Sequence, residues 1–168
     1  MWGGCEKVDI GTTSDEPTDD GTFEVSKDTV VWRPGERDGS HRAPFLASDL
    51  SVGSLGLYVK SNGIELADCW VEGYIVGYVA GTNYKQTVFD IGNVESNIVL
   101  ADNSNETSFQ YVVPVQLVSN TPYASVRRAL NLSDNAWNLG RKVMVRGNIA
   151  AYMSTTGVKN AAEYVFED

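Results

Sequence analysis

The sequence predicts an all-β protein with a small helical content. The expected architecture is a five-stranded Greek-key barrel with one helix between its third and fourth strands, plus an N-terminal extension. Three observations predict it. Sixteen glycines are spread over 168 residues, short β-branched and aromatic runs alternate with turn-forming residues, and a clear helical period appears in one short segment of the second half. A chain of this length can bury one substantial core.

The first 22 residues predict an acidic tether. They contain six acidic residues and one basic residue, and too few apolar side chains to fold. Gly3-Gly4-Cys5 followed by an acidic tract resembles the cleavage site of a bacterial lipoprotein signal. We therefore expect lipid on Cys5 and a location in the cell envelope, at the periplasmic or outer-membrane surface. The alternative is a cysteine that falls near the N-terminus by chance. A disulfide between Cys5 and Cys69 is also possible, but it would tie the domain to a flexible tail.

Residues 23–68 are predicted as an extension that packs on the barrel. Thr22 to Trp32 has the composition of a strand, and 33–40 is rich in turn-forming residues. A short helix is expected between Ala43 and Ser61, with Ser48 or Asp49 as its N-cap. Together with the barrel, this extension is expected to form one folded unit.

Residues 69–168 are predicted to form the barrel itself. Gly73 and Gly77 interrupt the first strand and predict a bend or bulge. Val126 and Leu130 have helical spacing and predict a helix over 124–131. The predicted strands are 69–79, 97–102, 110–117, 142–152 and 162–166, with 87–89 opening the second. Five strands in this order, with one helix after the third, are typical of an OB-fold.

Six phrases in one order carry a family resemblance. It covers roughly residues 69–166 and resembles OB-like domains of Gram-negative surface lipoproteins, which are similar to domains fused to some secreted bacterial nucleases. The resemblance implies an OB-like fold and a link to nucleic acid. Met153 stands where such domains often carry Phe, which puts an aromatic stacking role there in doubt. The phrases are VEGYIVGYV (71–79), NIVLADNSNET (97–107), VPVQL (113–117), VRRALNL (126–132), NLGRKVMVRGNIAAYM (138–153) and GVKNAAEY (157–164).

The charge distribution gives two opposing indications about a partner. The net charge of -9 disfavours a polyanion. Residues 121–160 nevertheless contain six basic residues against Asp134 alone. The basic residues are Arg127, Arg128, Arg141, Lys142, Arg146 and Lys159.

The predicted function is a non-catalytic binding module. OB-folds bind extended polymers on the face of strands two and three and on the loops that flank it. The candidate ligand contacts are Tyr84, Lys85, Tyr111, Tyr152 and Lys159. The expected ligand is single-stranded nucleic acid or an oligosaccharide. The alternative is a structural or protein-interaction module of a surface lipoprotein assembly, which predicts an exposed apolar patch.

Nothing in the sequence predicts catalysis, a cofactor or a metal. His41 is the single histidine and has no nucleophile in a recognisable motif. Asp102 and Glu106 flank a polar turn, where carboxylates usually bond their own backbone. Trp70, Tyr74 and Tyr78 share strand parity, which predicts a common face in the core or at the barrel rim.

Overall fold

The computed structural model describes residues 23–25, 30–32 and 37–167, so the predictions for 1–22 lie outside it. The helices are α1 (Ala47–Ser51), α2 (Ser54–Asn62) and α3 (Ala124–Leu130). Single 3-10 turns lie at Tyr84–Gln86, Phe109–Tyr111 and Ala136–Asn138. The strands are β1 (Phe23–Val25), β2 (Val30–Trp32), β3 (Phe45–Leu46), β4 (Leu66–Val79), β5 (Thr87–Val88), β6 (Asn97–Ala101), β7 (Val113–Gln116), β8 (Lys142–Tyr152) and β9 (Thr155–Phe166).

The strands β3 to β9 form one mixed sheet, and the all-β prediction is confirmed. Strand β4 is antiparallel to β6 and β8, β6 is antiparallel to β7, and β8 is antiparallel to β9. A parallel pair between β7 and β9 closes a ring through β4, β6, β7, β9 and β8. The ring is not a regular barrel, because β7 and β9 meet at the single pair Val115 and Val158.

Strand β6 lies between two apolar clusters, which explains its unbroken apolar run. Ile98 and Leu100 belong to the main core, whereas Val99 and Ala101 belong to a second cluster on the opposite side of the strand. A strand that is buried on both faces loses the usual alternation of apolar and polar residues. The second cluster comprises Val76, Val79, Val99, Ala101 and Val112.

The extension shares the core of the ring. Strand β3 pairs in parallel with β4 at Phe45 and Val71. Several apolar side chains of the extension belong to the same buried cluster as those of the sheet; they include Phe45, Ala47, Leu50, Leu55 and Val59. Gly56 allows α1 and α2 to approach each other, since a Cβ there would lie 1.8 Å from the carbonyl oxygen of Leu50. The buried hydroxyl of Thr156 donates to the Gly56 carbonyl at 2.7 Å and ties α2 to β9.

The bulge predicted in the first strand is confirmed at Gly77. Ile75 pairs with Leu100 and Gly77 with Val99, so β4 takes two steps where β6 takes one. A Cβ on Gly77 would lie 2.0 Å from the carbonyl oxygen of Val88, which is why this position requires glycine.

The same bulge makes the prediction of one aromatic face wrong. Tyr78 joins the main core, whereas Tyr74 packs against the second cluster. Trp70 is buried, and the edge of the His41 ring lies against it at a centroid distance of 4.6 Å. Strand parity is preserved only while no extra residue enters the strand.

Three predicted boundaries also need correction. Residues 110–112 do not begin the third strand, because Phe109–Tyr111 form a 3-10 turn whose start is capped by the Ser108 side chain. The last strand begins at Thr155, seven residues before the predicted start. The helix expected within 43–61 is a pair, α1 and α2, because the chain turns at Val52 and Gly53. Capping side chains and tight turns end elements in ways that apolar spacing does not reveal.

Candidate functional site

Three segments that are distant in the sequence meet at one surface. The backbone N–H of Tyr84 donates to the carbonyl of Met153 at 2.9 Å, which joins the loop after β4 to the β8–β9 turn. The ring of Tyr84 lies edge-on to the ring of Phe109, with 5.7 Å between their centroids. Tyr111 belongs to the same 3-10 turn as Phe109. We call this group of residues the tyrosine surface. Its members are Tyr84, Lys85, Phe109, Tyr111, Tyr152 and Met153.

The loop that carries Tyr84 and Lys85 is held by local hydrogen bonds. The Asn83 side chain accepts from the backbone N–H of Lys85 at 2.9 Å and starts the 3-10 turn that carries Tyr84. The carboxamide oxygen of Gln86 accepts from the N–H groups of Thr82 and Asn83. The side chains of Tyr84 and Lys85 therefore project from an ordered loop, which limits the entropy lost on binding.

The predicted contacts differ in their exposure. Tyr111 is 45% exposed and Lys85 is exposed, whereas Tyr84 and Tyr152 are half-buried. Burial raises the pKa of the Tyr152 hydroxyl to about 12, so this tyrosine stays neutral at physiological pH. At this surface, Tyr111 therefore offers a more accessible ring than Tyr84 or Tyr152.

Lys159 lies apart from the other four predicted contacts. It pairs with Asn148 in the middle of the β8–β9 ladder. Four residues separate it from Thr155 at the turn, which corresponds to about 13 Å along an extended strand. The prediction that Lys159 belongs to the last loop is corrected, since β9 begins earlier than its sequence pattern indicates.

Sequence reasoning missed Phe109 and assigned no role to Met153. Phe109 falls in a polar stretch with no strand or helix period, and only the Ser108 cap gives a local signal. Met153 has φ 58° in the two-residue turn between β8 and β9, and it packs against the second cluster. Its thioether therefore covers the sheet rather than offering a free stacking surface.

The outer face of β6 is not accessible at this site. Val99 and Ala101 are fully buried, and Phe89 and Met153 pack against their cluster. A ligand here contacts the loops that cover the sheet and does not contact the strands themselves.

The charges around the tyrosine surface are mixed. Lys85 forms no salt bridge within residues 37–167. The carboxylate of Glu106 accepts from the N–H of Ser108 at 3.1 Å, next to Phe109 and Tyr111. Asp102 accepts from the N–H of Ser48 at 3.0 Å. Stacking therefore has to supply more of the binding energy at this surface than phosphate attraction does.

Salt bridges engage at least three of the basic residues in 121–160. Arg127 lies 3.7 Å from Glu95, and Lys142 lies 3.7 Å from Glu72. Arg146 bridges Asp68 at 2.9 Å and Glu163 at 3.1 Å. Such exposed pairs stabilise the fold little, but they neutralise the positive field of this stretch.

The described ranges also bear on metal binding and on membrane crossing. Within the described ranges, no three His, Cys, Asp or Glu side chains are grouped so that they could hold a metal ion. No helix in those ranges is both long enough and apolar enough to cross a bilayer.

Comparison with known families assigns the domain. The sequence profile of a family described as a domain of unknown function, DUF6359, matches residues 57–167. The chain belongs to this family. The match includes the whole ring, the tyrosine surface and most of α2, but it begins after α1.

One curated relative of the chain is an endonuclease. Endonuclease YhcR of Bacillus subtilis (strain 168) is 36% identical to the chain over 90 residues. These residues are 54% of this chain but 7% of the endonuclease, so the chain matches only a small part of that protein. No solved structure gives a significant match.

Proposed function

We propose that the chain is a non-catalytic OB-type domain that binds single-stranded nucleic acid at the tyrosine surface. The observation that carries the proposal is the contact between the rings of Tyr84 and Phe109, with the exposed Tyr111 in the same 3-10 turn as Phe109. Grouped aromatic rings beside a lysine form the stacking platform on which single strands bind. Similarity to part of an endonuclease supports this class of ligand.

The OB assignment belongs to the same proposal and is supported by the pairing order. The ring runs β4, β6, β7, β9, β8 and back to β4, with α3 between β7 and β8. In an OB-fold, the loops between strands one and two and between strands four and five flank the ligand. Here these loops are residues 80–96 and the turn Met153–Ser154, which the Tyr84–Met153 hydrogen bond joins.

The test is fluorescence anisotropy of a labelled mixed-sequence single-stranded DNA, at low and at physiological salt. Tyr111→Ala removes an exposed ring, and we expect it to weaken binding roughly 5- to 150-fold, the range for one stacked base. Lys60→Ala, an exposed cation on α2, is the matched control and should bind like the parent chain. If no binding occurs even at low salt, the nucleic-acid proposal is wrong. Binding to an oligosaccharide panel instead would assign the surface to glycans.

A second candidate function is protein interaction through the extension. Val52 after α1 and Leu57 on α2 are 59% and 58% exposed. Two large apolar side chains exposed on one short helical pair favour a protein partner. A double change of Val52 and Leu57 to Ser would leave DNA binding intact and abolish association with that partner.

The envelope location is proposed on the N-terminal sequence together with Cys69. Cys69 is fully buried and disulfide-bonded, and disulfides persist in oxidising compartments such as the periplasm. This bond supports the compartment and counts against the lipid anchor, because Cys5 is the other cysteine of the sequence. Lipid on Cys5 would use the sulfur that a Cys5–Cys69 disulfide needs, so these two states of Cys5 exclude each other. Metabolic labelling with an alkyne fatty acid distinguishes them. Label that is lost in Cys5→Ser supports the anchor, and an unlabelled protein refutes it.

A further inference from the structure

Trp137 presents its indole to solvent on a rigid turn. It is 68% exposed, more than any other large apolar side chain in the described part of the chain. It lies in the 3-10 turn Ala136–Asn138, between α3 and β8. Exposure of a tryptophan sacrifices a large burial energy, so a fixed and exposed indole indicates a contact site.

Asparagine side chains fix this turn to α3. Asn135 donates from its side chain to the carbonyl of Arg128 at 2.8 Å. Asn138, which is 1% exposed, donates from its side chain to the carbonyl of Ala129 at 2.8 Å. Trp137 lies between these two anchors, so little backbone freedom remains to be lost when its ring binds.

Basic and acidic residues both lie near the same junction, and Glu167 directly follows the Phe166 ring that Arg141 covers. Arg128 is exposed and forms no salt bridge within residues 37–167. The guanidinium of Arg141 lies 3.7 Å above the centre of the Phe166 ring and 3.3 Å from the side-chain oxygen of Asn138. Asp134 is the opposing acid in residues 121–160, and it accepts a hydrogen bond from the Asn131 side chain at 3.1 Å. Arg128 is therefore the group that offers an anionic partner a contact at this junction.

We propose that Trp137 and Arg128 form a second contact for single-stranded nucleic acid, with a base stacked on the indole and a phosphate on the guanidinium. We call this site the tryptophan corner. Aromatic stacking combined with a nearby cation is how proteins bind single strands without reading their sequence. The proposal rests on the proposed function for the class of ligand, but it uses different residues.

The tryptophan corner and the tyrosine surface lie at opposite ends of β8. Arg141 comes directly before the first residue of β8, and Tyr152 is the last. The strand has eleven residues, so its two ends, and with them the two surfaces, are up to about 33 Å apart along the strand. Substitutions at one surface therefore leave the other intact, and the two sites can fail independently.

The test measures binding of the same labelled single-stranded DNA to Trp137→Ala, Trp137→Phe and Arg128→Ala in the full chain. We expect Trp137→Ala to weaken binding roughly 5- to 150-fold and Trp137→Phe to restore part of the loss. Arg128→Ala should make the logarithm of the association constant depend less steeply on the logarithm of the salt concentration. The magnitude of the slope should fall by about 0.7, the value for one single-strand phosphate. Arg42→Ala, another exposed arginine, is the matched control and should leave both quantities unchanged.

A spectroscopic readout separates a direct contact from an indirect effect. Stacking of a base on Trp137 should quench part of the tryptophan emission, and this quenching should be absent in Trp137→Phe. Thermal melting checks that the variants fold, which we expect because the side chains of Trp137 and Arg128 are exposed.

The outcomes distinguish the two surfaces. Unchanged binding in Trp137→Ala, together with weaker binding in Tyr111→Ala, overturns the tryptophan corner and supports the proposed function. Weaker binding in Trp137→Ala, with unchanged binding in Tyr111→Ala, supports the tryptophan corner and overturns the tyrosine surface as a binding site. A chain that binds no DNA, or that binds an acidic protein through Trp137 instead, overturns the corner as a nucleic-acid site.

Discussion

The backbone N–H of Tyr84 donates to the carbonyl oxygen of Met153 at 2.9 Å. These residues are 69 positions apart in the sequence, and the bond joins the loop after β4 to the turn between β8 and β9. It brings together two of the three segments of the tyrosine surface. The geometry of that surface therefore depends on a long-range backbone contact rather than on any local motif.

Hydrogen exchange tests this contact directly. The Tyr84 amide should exchange more slowly than the Thr82 amide, whose bond to Gln86 is exposed and local. A bond that closes only in the folded state protects its amide until the loop opens. Equal exchange rates at the two amides would mean that the loop is not docked on the turn.

Asn97 predicts a measurable loss of stability, because its side chain makes hydrogen bonds to the Val79 backbone that a neighbouring strand would otherwise make. Its oxygen accepts from the N–H of Val79 at 2.7 Å, and its nitrogen donates to the Val79 carbonyl at 3.2 Å. Asn97 is 1% exposed, so Asn97→Ala leaves two buried backbone groups without partners. We expect a loss of about 2–4 kcal/mol in the free energy of unfolding, measured with urea. Asn93→Ala, at an exposed loop position, should change stability by less than about 0.5 kcal/mol.

The β8–β9 turn predicts a stabilising substitution. Ser154 has φ 69°, in the left-handed region that glycine adopts without strain. We expect Ser154→Gly to raise the free energy of unfolding by up to about 1 kcal/mol. Ser119, an exposed serine without a positive φ, is the control, since glycine there only adds freedom to the unfolded chain. A Ser154→Gly variant less stable than the parent would contradict the turn geometry.

Tyr152 predicts a dependence of stability on alkaline pH. Burial raises its pKa from 10.0 to about 12 in the folded state. Between these values the folded protein holds a proton that the unfolded chain has released, so stability should fall as pH rises through this window. Absorbance at 295 nm should show a late tyrosine titration that disappears in Tyr152→Phe and persists in Tyr111→Phe. An unchanged late titration in Tyr152→Phe would assign the buried hydroxyl to another tyrosine.

Much of the strand and helix content was predictable because local periodicity determined it. The predicted strand over 142–152 coincides with β8, and the predicted helix over 124–131 differs from α3 by one residue. In both segments the side chains that face the main core recur at a regular interval, Val143, Val145 and Ile149 in β8 and Val126 and Leu130 in α3. Two predictions failed where that interval was interrupted. The bulge beside Gly77 ended the common face of the aromatic residues on β4, and the Ser108 cap started a 3-10 turn where the third strand was expected.

The candidate site was predictable only in part. The order of strands and loops predicts four contacts that lie on segments which the structure joins or places side by side. They are Tyr84, Lys85, Tyr111 and Tyr152. Phe109 and the covering role of Met153 depended on contacts across the fold. The exposure of Trp137 had no signal in the sequence, because tryptophan is usually buried and its burial depends on what packs over it.

The sequence by itself determined the all-β class, the main strands, the single helix after β7 and a bulge in the first strand. These features follow from side-chain periodicity and backbone sterics, which act over a few residues. Only the tertiary structure decided that β7 and β9 close the ring at one pair, that Phe89 and Met153 cover β6, and that Trp137 stays exposed. Those outcomes depend on packing between residues far apart in the chain, which no local pattern encodes.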